Sequence, residues 1–315
     1  MKNRRSFIIG LKTTHLLQKE IKFLKKYQPW GVILFSRNII NVNQCRILTD
    51  SIRNLFKDKN YPIIIDQEGG SVNRLEKIID TSIFSANYFG HLFTKNIKKF
   101  YIYYKIYIKQ ISFLLNSIGV NINTVPVLDV KRFKSNKIIG DRAFSGNPNI
   151  VSKIGNICIQ EYNKYNISTM VKHIPGHGLA KVDSHKSTPI VKNNINQLNK
   201  IDFLPFKNKR SLFAMTAHII YKNLDNKYTA THSKKIIKLI RNKIKFKGLL
   251  VTDDISMKGL KYSLKDNTIL SFRAGCDLVL HCNANYKEML IVAKNSPKVG
   301  AFILKKTSQF YKFLS

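Results

Sequence analysis

GLLVTDD, residues 248–254, is an apolar run that ends on two carboxylates. A strand that is apolar at every position, rather than at alternate ones, is buried on both faces, and such strands belong to parallel sheets covered by helices. The pattern recurs along the chain as SFIIGL (6–11), GVILFS (31–36), PIIID (62–66), VNINTVPVLDV (120–130), ISTMVKH (167–173), LFAMTAHII (212–220) and CDLVLHC (276–282). Between these runs lie stretches with helical spacing, among them LLQKEIKFLKKY, VNQCRILTDSIRNLF, VSKIGNICIQEYNKY and SKKIIKLIRNKI. Strand and helix therefore alternate, and eight such strands fit the size of a closed (β/α)₈ barrel. The expected fold is α/β, a TIM-type barrel forming one domain over residues 1–315. An open doubly wound sheet is the alternative, but no Gly-x-Gly-x-x-Gly follows a strand. The segment 84–118, rich in Tyr, Phe and Lys, reads as helices with no assigned function.

The polar residues that close these runs point to a site. Asp66, Gln67 and Glu68 follow PIII; Asp129 closes VNINTVPVL; Lys172 and His173 follow ISTMV; His218 lies near the end of LFAMTAH; Asp253 and Asp254 close GLLVT. In a parallel barrel the strand ends and the loops after them form the mouth where chemistry takes place. Any one of these residues could simply cap a helix. Five strand ends carrying such residues together argue for a site.

Charge and cysteines bound the class. The 315 residues include 54 Lys+Arg against 18 Asp+Glu, a formal net charge of +36. Such a field attracts anions of any kind, nucleic acid included. The lysines are spread over every segment alongside abundant Ile and Asn, as drift toward A/T-rich codons produces, and no nucleic-acid recognition motif accompanies them. No specific nucleic-acid partner is expected. The four cysteines form no C-x-x-C pair and read as reduced, buried thiols of a cytoplasmic protein. The N-terminal apolar run is too short for a signal peptide, and no stretch is long enough to span a bilayer, so no membrane partner is expected. No interface segment stands out, and a monomer is expected.

KHIPGHGLAKVDSH, residues 172–185, holds three of the eight histidines. His173 and His177 have the spacing of a helical zinc motif, but Pro175 and Gly176 break the helix and the motif's Glu is absent, so no metal and no other cofactor is expected. No Gly-x-Ser-x-Gly elbow marks a serine hydrolase. Glycosyl transfer to water needs a carboxylate at the anomeric carbon and a proton donor at the leaving oxygen. Asp253 or Asp254 offers the first. Asp183 and His185 offer the second, since a carboxylate on one ring nitrogen would fix the tautomer and leave the other to shuttle a proton.

Taken in order, GVILFSRN, IDQEGGSVNRL, VNINTVPVLDV, DRAFSGNP, KHIPGHGLAKVDSH, MTAHIIY, GLLVTDDISMKG and AGCDLVLHCN resemble the conserved blocks of the family 3 glycoside hydrolases. Within that family the chain is most similar to the single-domain bacterial β-N-acetylglucosaminidases of cell-wall recycling. The resemblance implies a retaining, two-step mechanism with Asp253 as nucleophile, His185 as acid/base and Asp183 orienting it. It also implies that Asp66, Arg74, Arg142, Lys172 and His173 hold the sugar, and that Gly69 and Gly70 let the backbone approach it. His177 is read as structural, and His218 equally as a buried structural histidine or a contact. The substrate it implies is N-acetylglucosamine β-linked to a 1,6-anhydro-muramyl sugar, with or without peptide. A family 3 β-glucosidase, a phosphorylase using phosphate as acceptor, and a basic barrel that binds nucleic acid are the competing readings.

Overall fold

The computed structural model describes residues 3–132, 139–180, 182, 184 and 186–315. Eight parallel strands close into a barrel, and ten strands are present among the described residues. In chain order they are β1 (Arg5–Gly10), β2 (Pro29–Leu34), β3 (Ile63–Ile65), β4 (Ile122–Asn123), β5 (Ser168–Ile174), β6 (Ile190–Val191), β7 (Phe213–Thr216), β8 (Ile220–Tyr221), β9 (Leu249–Asp254) and β10 (Leu278–His281). Around the barrel the order is β1-β10-β9-β7-β5-β4-β3-β2, with β1 paired to β2 to close it. The remaining two strands, β6 and β8, form a small parallel ribbon outside the barrel. The expected (β/α)₈ barrel is the observed architecture.

Every anticipated apolar run supplies a barrel strand, and two of them differ in extent. Of VNINTVPVLDV only Ile122 and Asn123 pair along the ladder, and Val127 returns later as an isolated bridge to Lys172. Pro126 lies between and has no N–H to donate, so the ladder cannot run on. LFAMTAHII divides, with its last residue opening β8 after the chain leaves the barrel at Thr216. The helical stretches also form as anticipated. VNQCRILTDSIRNLF is the helix Val42–Phe56, started by Asn41, whose side chain accepts from the Gln44 N–H. The Tyr- and Phe-rich segment forms the helices Ala86–Lys95 and Ile97–Ser117.

Burial on both strand faces follows from two cores. One lies between barrel and helices. The other fills the barrel lumen with Ile8, Trp30, Ile64, Ile122, Met170, Phe213, Leu249 and Leu278. Trp30 and Phe213 begin their strands, so they sit at the N-terminal end of the barrel. The C-terminal helix Ala301–Leu314 closes that end. Phe310 packs edge-on against Phe213 with centroids 5.5 Å apart, and the Trp30 indole N–H donates to Thr307 Oγ1 at 2.9 Å. With the lumen plugged at that end, the C-terminal strand ends open to a cavity between loops.

Candidate active site

A cavity of about 180 Å³ lies at the C-terminal mouth of the barrel. Phe35, Asp66, Lys172, His173, Met215, Asp253, Asp254, Leu280 and Cys282 line it from the ends of β2, β3, β5, β7, β9 and β10, and loops contribute Arg74, Arg142, His177, Ser184 and Met257. A wider depression of about 680 Å³ sits at the opposite end, around Arg46, Arg53, Asp58 and Asn121. There Asp50 is paired with Arg46 and Arg53, and Asp58 with Arg4; that end carries no C-terminal strand end, so the smaller cavity at the strand ends is the place for chemistry.

The cavity wall is built around Asp66. One carboxylate oxygen accepts from Lys172 Nζ and from Thr124 Oγ1, and the other accepts from Arg74 Nη2 at 3.0 Å. Burial alone would raise the Asp66 carboxyl, but Lys172 and Arg74 overcome it and hold the group well below the usual carboxylate range. Lys172 also reaches Glu68 Oε1 at 2.5 Å. Arg142 meets Glu68 through two bonds of 2.8 Å, from Nε and from Nη2. The Glu68 carboxyl is likewise depressed, its burial outweighed by Arg142 and then Lys172. Asp141, next to Arg142 in the chain, instead accepts from Ser71 Oγ at 2.8 Å. The result is a fixed array of two carboxylates and three cations, suited to hydroxyls presented in several directions. Phe35 adds an aromatic wall, with the Arg74 guanidinium 5.3 Å from its ring centre.

A second chain of groups leads to the nucleophile candidate. Asp129, fully buried, takes His173 Nδ1 at 2.7 Å on one oxygen and the backbone N–H of His177 at 2.6 Å on the other. Its desolvation is more than compensated by His173, and its carboxyl lies below the ordinary value. An ionised Asp129 can only accept, so Nδ1 of His173 carries the proton and Nε2 turns toward the cavity. There it stands 4.0 Å from Asp253 Oδ2. Burial would raise Asp253, but His173, His218 and the backbone N–H of Asp254, which donates at 2.8 Å, bring it below the usual range. Asp254 is occupied differently: its oxygens accept the Ser256 N–H at 3.0 Å and the Ser256 hydroxyl at 2.9 Å. Both carboxylates line the cavity, and of the two Asp253 is the one beside the His173 ring, while Asp254 is tied to Ser256.

Asp66, Arg74, Arg142, Lys172, His173 and Asp253 are thus brought together around one cavity. Asp183 and His185 lie outside the described residues. Ser184, between them in sequence, lines the cavity, and its carbonyl accepts the Gly259 N–H at 2.7 Å. His177 is buried against His173, ring centres 5.5 Å apart, and burial first, then His173, pushes its imidazole down to about 4. His218 bonds at both nitrogens, to Thr231 Oγ1 at 2.8 Å and to the Asp254 carbonyl at 3.0 Å, in keeping with a structural role. The expectation for Gly69 and Gly70 needs correction. Their φ angles are +86° and +58°, and a Cβ at Gly69 would meet Tyr107 and Phe84 rather than the cavity. The pair serves a left-handed turn packed on a helix, not close approach of a ligand. Glu68 and Asp129 stand among the strand-end residues that point to a site but carry no assigned role in the sequence, and nothing marks Thr124. Among the described residues no group of three or more His, Cys, Asp or Glu side chains is arranged to hold a metal.

Residues 8–302 match the family described as glycosyl hydrolase family 3 N terminal domain. The chain is 33% identical over 281 residues to "Beta-hexosaminidase A" of Pseudoalteromonas piscicida, a match covering 82% of this chain and 46% of that protein. It is 30% identical over 275 residues to a beta-hexosaminidase of Methylobacillus flagellatus, covering 86% of this chain and 78% of the relative. The chain therefore spans under half of one such relative and most of the other. Among solved structures, native NagZ from Neisseria gonorrhoeae superposes with a TM-score of 0.82 at 24% identity, covering 99% of this chain and 96% of that one, a likeness of fold.

Proposed function

The chain belongs to glycosyl hydrolase family 3, and from that premise we propose that it is a retaining β-N-acetylglucosaminidase that removes terminal β-linked N-acetylglucosamine. The observation that carries this reading is the placing of an ionised Asp253, beside His173 on the cavity wall, with the polar wall of Asp66, Arg74, Lys172 and Arg142. Asp66 accepts hydrogen bonds from sugar hydroxyls, Arg74 and Lys172 donate to the sugar's oxygens, and the neutral His173 ring accepts a hydroxyl at Nε2. Arg142, bound to Glu68, presents its guanidinium edge to the cavity. Asp253 attacks the anomeric carbon as the bond to the leaving oxygen breaks, and His185 gives that oxygen its proton. The product of this step is a glycosyl ester on Asp253. His185, now neutral, takes a proton from water, which attacks the same carbon and frees Asp253. Asp183 accepts from the other ring nitrogen and supports the imidazolium formed in the second step.

The substrate of this reading is N-acetylglucosamine β-linked to a 1,6-anhydro-muramyl sugar with or without peptide, handled in the cytoplasm during cell-wall recycling by a monomeric one-domain enzyme. The similarity to beta-hexosaminidases supports the sugar. The muropeptide acceptor rests on resemblance of the KHIPGHG…DSH pattern to the recycling enzymes. The test is hydrolysis of an aryl β-N-acetylglucosaminide by wild type, Asp253→Ala and His185→Ala, with the muropeptide disaccharide as second substrate. Wild-type hydrolysis, loss of about 10³-fold or more in Asp253→Ala, and a comparable loss for His185→Ala that eases with an activated leaving group are expected. Full turnover by Asp253→Ala would remove the nucleophile assignment. Inactivation by a chelator would bring back a metal.

A further inference from the structure

The helix Ile97–Ser117 carries an apolar stripe on the side turned away from the barrel. Its inner face is accounted for: Phe100, Tyr104, Ile108, Ile111 and Leu115 are buried. On the outer side Ile102, Ile106 and Phe113 are 56%, 53% and 66% exposed. With Lys109 they stand at i, i+4, i+7 and i+11, one line along the helix. Tyr101 and Tyr103 are exposed on its flanks and Ile97 in its first turn, so six of the fifteen large exposed hydrophobic residues among the described ones belong to this helix. Ile83 and Tyr88, just upstream, are exposed as well. Single exposed apolar residues need no explanation, but a concentration of them marks a contact surface.

The charge on that surface identifies the contact. Lys98, Lys99, Lys105 and Lys109 interleave with the apolar residues, and Lys105 lies over the Tyr101 ring at 5.7 Å. From Asp80 to Asp129 the sequence contains no acidic residue. The face is therefore uniformly basic, apolar at its centre and flanked by tyrosines. The helix is about 30 Å long, and the depression beside its C-terminal half, about 380 Å³ lined by Lys109, Phe113, Asn116, Ser117 and Tyr165, is open and covers only that end of the stripe. Two copies meeting through this face would oppose lysine to lysine in a chain of net charge +36, which disfavours self-association. A surface that is anionic, laterally extended and soft enough to admit Ile and Phe to shallow depth complements it. We propose that the outer face of the helix Ile97–Ser117 docks peripherally on an anionic lipid bilayer. No helix among the described residues is long and apolar enough to cross a membrane, and docking of this kind requires none. It departs from the expectation that the chain has no membrane partner. The barrel mouth stays clear, because the stripe lies on the outer wall while the cavity opens at the strand ends.

The test uses the full chain and vesicles of phosphatidylglycerol mixed with phosphatidylcholine, against vesicles of phosphatidylcholine alone. Binding at least about tenfold stronger to the anionic vesicles is expected, weakening with salt. A chain this basic adheres to anions in general, so the deciding variant leaves charge untouched: I102S/I106S/F113S. It should lose about tenfold or more in vesicle binding and keep wild-type hydrolysis of the aryl substrate. K234Q/K235Q/K238Q, which removes three exposed lysines from another helix, should lose far less. Should the triple serine variant be unstable, F113W supplies a second readout, since the chain's one other tryptophan, Trp30, is buried. Its emission should shift to the blue with anionic vesicles. Unaltered vesicle binding by the serine variant, or no shift from F113W, would overturn the proposal. So would a stripe-dependent affinity for single-stranded nucleic acid without one for vesicles, or a dimer that the serine substitutions dissociate.

Discussion

Replacing Asp129 by Asn would keep the shape of the site and change one proton. Asp129 holds Nδ1 of His173 at 2.7 Å as an obligate acceptor, whereas an amide can donate there and stabilise the other tautomer. His173 would then present an N–H to Asp253 where the native ring presents a lone pair or, when charged, an imidazolium. The expected outcome for Asp129→Asn is a fall in kcat/KM of about 10²-fold, the scale of a misplaced group near a reacting centre, with the pH profile shifted and Asp129→Ala no better. Steady-state kinetics against pH on the aryl substrate measure it, and an unmoved profile would leave Asp129 a packing residue. Asp129 also shows the limit of reading residues from sequence. Asp66, Lys172, His173 and Asp253 are legible because strand ends of a barrel carry the mouth. A carboxylate behind that mouth looks identical in sequence to one in it, and only the direction of the side chain separates Asp129 from Asp253 or Arg142's partner Glu68 from Asp141.

At the level of elements, the barrel strands were legible because burial on both faces leaves an unbroken apolar run, while the devices that close the structure were not. The ribbon of β6 and β8 has two residues in each strand, too few for a period to show. The helix Ala301–Leu314 is readable as amphipathic, but nothing in its sequence says that its apolar face enters the lumen. That placement has a measurable consequence. Phe310 is fully buried between the barrel floor and solvent, and its removal leaves a cavity bounded by closed strands that cannot collapse inward. Phe310→Ala should cost about 3–5 kcal/mol of unfolding free energy in urea titrations. Turnover at low temperature should change little, because the plug lies at the opposite end from Asp253. A loss under about 1 kcal/mol would mean that the helix is only loosely seated.

For the molecule as a whole, the buried histidines set the response to acid. The imidazole of His177 falls from 6.5 to about 4 in the folded chain, through burial and then the neighbouring His173. His232 falls to about 3, through burial and then His218. Above pH 6.5 both are neutral whether the chain is folded or not, and their contribution to stability is complete. As pH drops below 6.5 the unfolded chain takes up protons that the folded chain refuses, so stability is lost on the way down to about 4. For His177 alone the loss amounts to about 3 kcal/mol. Asp202 acts in the opposite sense, since burial lifts its carboxyl to about 6 and it favours the folded state as pH falls from 6 toward 3.8. Below that, the depressed carboxyls of Glu68, Asp66, Asp129 and Asp253 add to the loss. A net charge of +36, rising as carboxylates are neutralised, works in the same direction through self-repulsion. Urea unfolding should therefore show a midpoint that falls steadily between pH 6.5 and pH 4, before most carboxylates titrate. In His177→Asn the fall across that window should be smaller by about half or more of the His177 share. If the mutant and wild-type curves run parallel from pH 6.5 to pH 4, His177 is not held neutral by its surroundings and the acid response belongs to other groups.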